Sequence, residues 1–249
     1  MSARLPLLAV VCVGAALLGA CASVPNHRVH QTLLEGRASA PERMVLLPVD
    51  IEVSEISAGG VEEEVPAWSE AATENVERAL QGYAAGRDSM SLVEAPTLSR
   101  EERRRVEEHL ALYDVVGGNA FRYTNLPVAA WRHKIREFDY TLGSGLAFLR
   151  EKTGAEAAVV VIGSDQISSS GRKALMVVGA VAGVEVQKGT SFLSAGVIDL
   201  RTGNLLWLNY AADYGGRDLR KAEDATAMVN GMLSSYPGVE AFDVAEVGR

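Results

Sequence analysis

Apolar residues fall in three patterns along this chain, and each pattern predicts a different element. From Thr190 to Tyr210 it reads TSFLSAGVIDLRTGNLLWLNY. Two apolar runs, Phe192 to Leu200 and Leu205 to Tyr210, flank Arg201-Thr202-Gly203-Asn204. That is a β-hairpin, because Gly203 and Asn204 tolerate the positive φ that tight turns need. Leu205 to Leu208 does not alternate with polar residues. A strand of that kind is covered on both faces, so the hairpin is expected mid-sheet. Met44 to Val53 does alternate, which places Val45, Leu47, Val49, Ile51 and Val53 on one face. Pro48 lacks a ladder donor and predicts an edge or a bulge there. Ala157 to Gly163 is the most strand-like run and is expected to be central, with polar SDQISSSGRK (Ser164 to Lys173) after it.

Helical spacing appears elsewhere. Trp68, Ala72, Val76, Leu80 and Tyr83 mark one face of a helix. Ser89 to Glu94 predicts a short strand. Ser99 with Glu102 forms a capping box that opens a helix through Leu112 or beyond. Its Glu101/Arg105, Arg103/Glu107 and Arg104/Glu108 pairs, four apart, form a solvated face of mixed charge. Gly117-Gly118 is expected to break this helix. Trp131, Ile135, Phe138 and Leu142 resume helical spacing. After Gly143 and Gly145 it continues at Leu146 and Leu149, and Gly154 fits a C-terminal cap. Gly143-Ser144-Gly145 has no phosphate-loop context and suits a close helix crossing. A last helix follows an Asp218 cap, with Ala222, Ala225, Met228 or Val229, Met232 or Leu233, and Tyr236 on its buried face, and stops at Pro237. The order is strand, helix, strand, one or two helices, central strand, apolar insert, hairpin, helix. The expected fold class is α/β, a single layered domain with a mixed β-sheet flanked by helices.

The apolar insert is Ala174 to Val184, ALMVVGAVAGV. It is about half the roughly 20 residues that a membrane-spanning helix needs. The expected reading is a buried strand or short helix that seals the domain. The alternative is an exposed lip, with Leu175, Met176, Val177, Val178, Val181 and Val184 touching a membrane or a neighbouring subunit.

The N-terminus changes the picture most. Arg4 precedes an unbroken apolar and small run from Leu5 to Ala20, the layout of a secretory signal. The run ends Leu18-Gly19-Ala20-Cys21, which resembles the bacterial lipobox. The resemblance implies cleavage before Cys21, lipidation of its thiol and acylation of the new amine. Several acyl chains, at about 0.8 kcal/mol per buried methylene, make such anchoring stable. Ala22 follows the cysteine, and by similarity to lipoproteins of Gram-negative bacteria this implies an outer-membrane location facing the periplasm. Residues 1–20 are then the signal, 21–41 a lipidated N-terminus and polar tether, 42–238 the periplasmic domain and 239–249 a tail. The other cysteine, Cys12, lies in the signal, so the mature chain relies on an ordinary core.

Charge and candidate chemistry narrow the function. The net charge of −8 becomes −9 once Arg4 is removed, which argues against a nucleic-acid partner. His27 and His30 lack a cysteine or carboxylate to complete a metal set and are read as solvated tether residues. Glu62-Glu63-Glu64 reads as a solvated loop. Ser164, Asp165 and His133 exist, but no GxSxG, HExxH or Cys/His arrangement does, so no catalytic residue, metal or cofactor is assigned. His109 reads as a helix-surface or boundary residue.

Three stretches, Val45–Asp50 (VLLPVD), Thr153–Asp165 (TGAEAAVVVIGSD) and Ala195–Trp207 (AGVIDLRTGNLLW), resemble CsgG-like and TolB-N-terminal-like domains. That family includes the curli secretion channel and the LpoB-type activators of cell-wall synthases. The resemblance implies a non-enzymatic, lipid-anchored periplasmic adaptor or assembly component that binds envelope proteins or itself. The alternatives are an oligomeric pore-forming or secretion-channel lipoprotein and an envelope hydrolase.

Overall fold

The computed structural model of the chain describes residues 27–125, 131, 133, 134 and 137–238. In chain order the elements are β1 (Arg28–Val29), α1 (Gln31–Leu34), β2 (Arg43–Leu46), β3 (Asp50–Ile56), β4 (Glu62–Glu64), α2 (Pro66–Ala85) and β5 (Ser91–Val93). Then come α3 (Arg100–Asn125), a 3-10 turn (Ser144–Leu146), α4 (Ala147–Thr153), β6 (Ala157–Ser168), α5 (Ser170–Ala182), β7 (Ser191–Asp199), β8 (Leu205–Asp213) and α6 (Ala222–Leu233). The eight strands make one mixed sheet, as the order of elements predicts.

β6 is central, and it runs five residues past Gly163, to Ser168. On one side it pairs antiparallel with β7, from Ala157 opposite Asp199 to Asp165 opposite Ser191. β8 completes the hairpin. Gly203 takes φ +78° in the turn, and Asp199 Oδ1 accepts from Arg201 N and Thr202 N. Among the described residues, only the two-residue β1 lies beyond β8, opposite Leu208 and Trp207. The hairpin therefore reaches almost to the sheet edge, although both of its faces are covered.

On the other side of β6 run β2 and β3, both parallel to it. Leu46 lies opposite Val159 and Asp50 opposite Ile162, so the β2–β3 strand carries one extra residue around Pro48. This is a bulge, where the missing proline N–H costs no ladder bond. A slip of one residue inverts the alternation. Val45 and Leu47 accordingly pack on one face of the sheet, and Val49, Ile51 and Val53 on the other. This overturns the expectation that all five share a face.

Two cores sandwich the sheet. α2 and α6 cover one face through Val76, Leu80, Met228 and Met232, with Trp207 beneath them. α3, the 3-10 turn and α4 cover the other through Val106, Tyr113, Leu146 and Leu149. β6 feeds both: Ala157, Val159 and Val161 point one way, Ala158 and Val160 the other. The capping box is present, with Ser99 N donating to Glu102 Oε2 at 2.7 Å and Glu102 N to Ser99 Oγ at 3.3 Å. The Lys152 ammonium, with the Ser99 bonds behind it, lowers the Glu102 carboxyl to about 2.

Four local expectations are corrected. α3 continues through Gly117-Gly118, because Gly117 sits against the Tyr113 and Tyr210 rings and its carbonyl accepts from Tyr210 Oη at 2.5 Å. Phe138 and Leu142 are buried, but from extended backbone. That segment supplies partners to the hairpin turn, through Leu142 N to Gly203 O (2.8 Å) and Leu205 N to Tyr140 O (2.9 Å). Such groups must be satisfied somewhere, and a helix there would leave them open. Ile135 lies outside the described residues. Asp218 does not cap α6; it grips Arg220, whose guanidinium lies over the Trp68 ring.

The fourth concerns the tether. From His27 this segment packs onto the body, with His27, Arg28, Val29, His30 and Leu33 all buried, while Glu35 to Ser39 are exposed. Val29 sits beside Trp207, His30 N donates to Leu206 O at 2.8 Å, and the Arg28 guanidinium donates to the Thr124 carbonyl at the end of α3. Burial lowers Arg28 to about 10 and holds both histidines below their ordinary value. They are not solvated tether residues. His30 is a cap: its Nδ1 accepts from Thr32 N at the start of α1.

Candidate functional site

Cys21 lies outside the described residues. The other candidates, Leu175 to Val184, form α5 and its return loop. Ser169 Oγ caps the helix by accepting from Arg172 N at 3.2 Å. Gly183 ends it at φ +73°, the left-handed cap. A side chain on Gly179 would meet Val184 O at 2.7 Å. The two glycines four apart therefore serve to fold the chain back on itself. Arg172 Nε donates to Gln187 O at 3.0 Å and fastens the helix to the return loop.

The insert is not buried. Val181 is 88% exposed, Val177 67%, Val178 64%, Val184 59% and Leu175 44%, with Met176 half-buried. None of these residues joins either core. The expectation of a buried seal fails because β6 and β7 already complete the sheet without the insert, which projects past their shared end. Two neighbours extend the apolar surface. Val61 (69% exposed) sits in the β3–β4 loop, which abuts the first turn of α5, as Ala58 does at Gly171. Tyr214 (78% exposed) precedes Gly215, which packs against Lys188 of the return loop. Seven of the ten large exposed hydrophobics among the described residues thus gather at one end of the sheet. This is a contiguous patch rather than single scattered residues.

The catalytic candidates do not assemble. Ser164 and Asp165 are adjacent on β6 and point to opposite faces, Ser164 exposed and Asp165 buried. Asp165 Oδ1 accepts from Ser191 Oγ at 2.7 Å and Oδ2 from Leu219 N at 2.7 Å. Burial raises its carboxyl. These bonds give it a structural task, tying β6 and β7 to the segment before α6. His133 stacks on Trp131, with ring centroids 5.9 Å apart. His109 Nδ1 donates to Arg105 O at 2.8 Å, and its ring lies under Gly145, the close crossing that the glycines suggest. Glu62 to Glu64 form exposed β4, not a loop. Among the described residues, no group of three His, Cys, Asp or Glu is placed to hold a metal.

One feature the sequence reading missed is a cleft of about 470 Å³ between β3, β6 and α3. Asp50, Glu52, Glu107 and Asp114 line it, with Ser164 and Phe192. The four carboxylates come from segments more than fifty residues apart, so no local motif announces them.

Fold and surface together define a three-layer α/β body that presents an uncovered apolar helix at one end of its sheet. No protein-family model and no curated protein matches the chain. Solved structures similar to it include a PelC dodecamer from Paraburkholderia phytofirmans, 12% identical, covering 84% of this chain and 92% of that one at a TM-score of 0.32. Lipoprotein GNA1162 from Neisseria meningitidis is 13% identical over 69% of this chain and 81% of that one, TM-score 0.28. The LpoB C-terminal domain from Salmonella enterica is 17% identical over 74% and 95%, TM-score 0.24. Superpositions this loose decide neither fold nor role.

Proposed function

We propose that the chain is a non-enzymatic, lipid-anchored protein of the cell envelope, held at the outer membrane through Cys21 and working as an adaptor or assembly component. The observation that carries this reading is the exposed apolar surface of α5, on a body that begins six residues after a lipobox-type cysteine. A protein that worked alone in water would lose solubility by keeping Val177, Val178 and Val181 uncovered. Of the polar groups that hint at hydrolysis, Asp165 is occupied in holding the fold together, and Ser164 points to the opposite face of the sheet. A pore built on α5 alone is disfavoured, since 13 residues make a helix of about 20 Å against a hydrocarbon core of about 30 Å.

Two measurements on the native envelope test the reading. Mass spectrometry of the mature protein is expected to find Cys21 at the N-terminus, carrying acyl chains. Cross-linking of intact cells is expected to give adducts larger than the monomer. An unmodified Cys21, or monomer alone at every cross-linker concentration, refutes it.

A further inference from the structure

The direction of the strands determines which end of the body faces the anchor. Ser191 pairs with both Asp165 and Asp213, so these three residues mark one end of the sheet. β6 leaves that end at Ser168 and enters α5. β1 is antiparallel to β8, with Arg28 opposite Leu208. From Val29 back to Arg28 the chain therefore runs along β8 in the direction of Asp213, which is the α5 end. His27 is already buried in the fold, and five residues, Ala22 to Asn26, separate it from Cys21. Six steps of fully extended chain reach at most about 20 Å. Along β8, Asp213 lies about 13 Å from Asn209, within that reach.

From this geometry we infer that α5, with Val61 and Tyr214, is a bilayer-docking surface, lying in the headgroup region of the same membrane that holds Cys21. The inference rests on the reading of Cys21 as lipidated, and it decides between the two contacts open to the insert, membrane or subunit. A helix too short to span the bilayer can lie in its plane with the apolar face inserted about 5–10 Å. α5 itself carries Arg172 and Lys173 and no carboxylate, which suits anionic phospholipid, while exposed Glu62 to Glu64 follow Val61 and Glu185 follows Val184. A tether this short also turns weak interfacial binding into an intramolecular event at high effective concentration.

The mature chain has no cysteine but Cys21, and acylation consumes it, so an introduced thiol can be labelled alone. Val177→Cys, Val181→Cys and, at the opposite end, Arg201→Cys in the exposed hairpin turn each receive an environment-sensitive fluorophore. The full lipidated protein is reconstituted into phosphatidylethanolamine–phosphatidylglycerol vesicles. Labels at 177 and 181 are expected to be quenched by nitroxide lipid several-fold more than the label at 201, and several-fold less by aqueous iodide. Iodide quenching at 181 equal to that at 201 overturns the docking surface. So does shielding from both quenchers that grows with protein concentration, since a second copy would then cover the helix. Acyl mass on Cys21, read on the same sample, separates the two levels. Its presence with a water-exposed helix defeats the docking surface and leaves the anchor standing. Its absence, with failure to co-float with the vesicles, defeats both.

Discussion

Leu205 to Tyr210 and Ala174 to Val184 are apolar runs of similar character with opposite fates. In the first, Leu205, Trp207 and Leu208 are fully buried and Tyr210 is 8% exposed. In the second, Val181 is 88% exposed. Composition does not separate them, because burial is a property of what lies across the gap. β8 has α6 on one face and α3 on the other, and Leu205, Leu206, Trp207, Leu208 and Tyr210 each meet a core. α5 leaves the sheet where the helical layers have ended, and among the described residues it meets little besides its own return loop and the loop around Ala58. The same kind of sequence is therefore core in one place and surface in the other.

The contrast is broken most directly at its buried side. Trp207→Ala removes a large side chain from beneath α2 and α6 and is expected to cost about 3–5 kcal/mol in denaturant unfolding. A loss under about 1 kcal/mol would mean that the face is not packed as described. Next comes Gly196→Ala on β7, whose new methyl would lie 2.4 Å from the Tyr113 ring of α3. Overpacking of this kind costs about 1–3 kcal/mol, and the same assay reads it. Tyr113 cannot retreat easily, because its hydroxyl is bonded to Ser194 Oγ at 2.8 Å.

A smaller effect is expected from the N-terminal strap. Burial is the main cause of the low values of His27 and His30. The folded state therefore resists protons that the unfolded chain accepts. Stability from these groups is complete above about pH 6.5, the unfolded value, and is lost as pH falls below it toward the folded values. The unfolding midpoint should drop between pH 7 and 5. The double variant His27→Gln/His30→Asn should flatten that drop, since Asn keeps the cap on α1 without titrating. An unchanged pH profile in the double variant would place the sensitivity elsewhere.

What the sequence made legible, and what it hid, follows the same division. The hairpin turn, the capping box and the central strand were readable because each is set by residues a few positions apart. The bulge at Pro48 was readable as a possibility, but its consequence was not, since inverting the faces of Val45 and Val49 depends on the register against β6. The strap read as a tether because its composition is polar, yet Val29 and Leu33 anchor it to surfaces built by residues far along the chain. The acidic cleft was invisible for the same reason: Asp50 and Asp114 become neighbours only through the packing of α3 on the sheet.

The smallest expected effect on stability is the sharpest test of the contrast. Val177→Gln with Val181→Gln exchanges two exposed apolar side chains for polar ones that α5 tolerates, and glutamine is a good helix former. Neither valine touches a core, so the free energy of unfolding in detergent-free buffer should change by no more than about 0.5 kcal/mol. On anionic vesicles the same variant should lose most of the protection from proteolysis that the native protein shows in the segment 170–190. A loss of unfolding free energy near 3 kcal/mol would mean that these valines are covered within the body, as Trp207 is. The difference between the two apolar runs would then disappear.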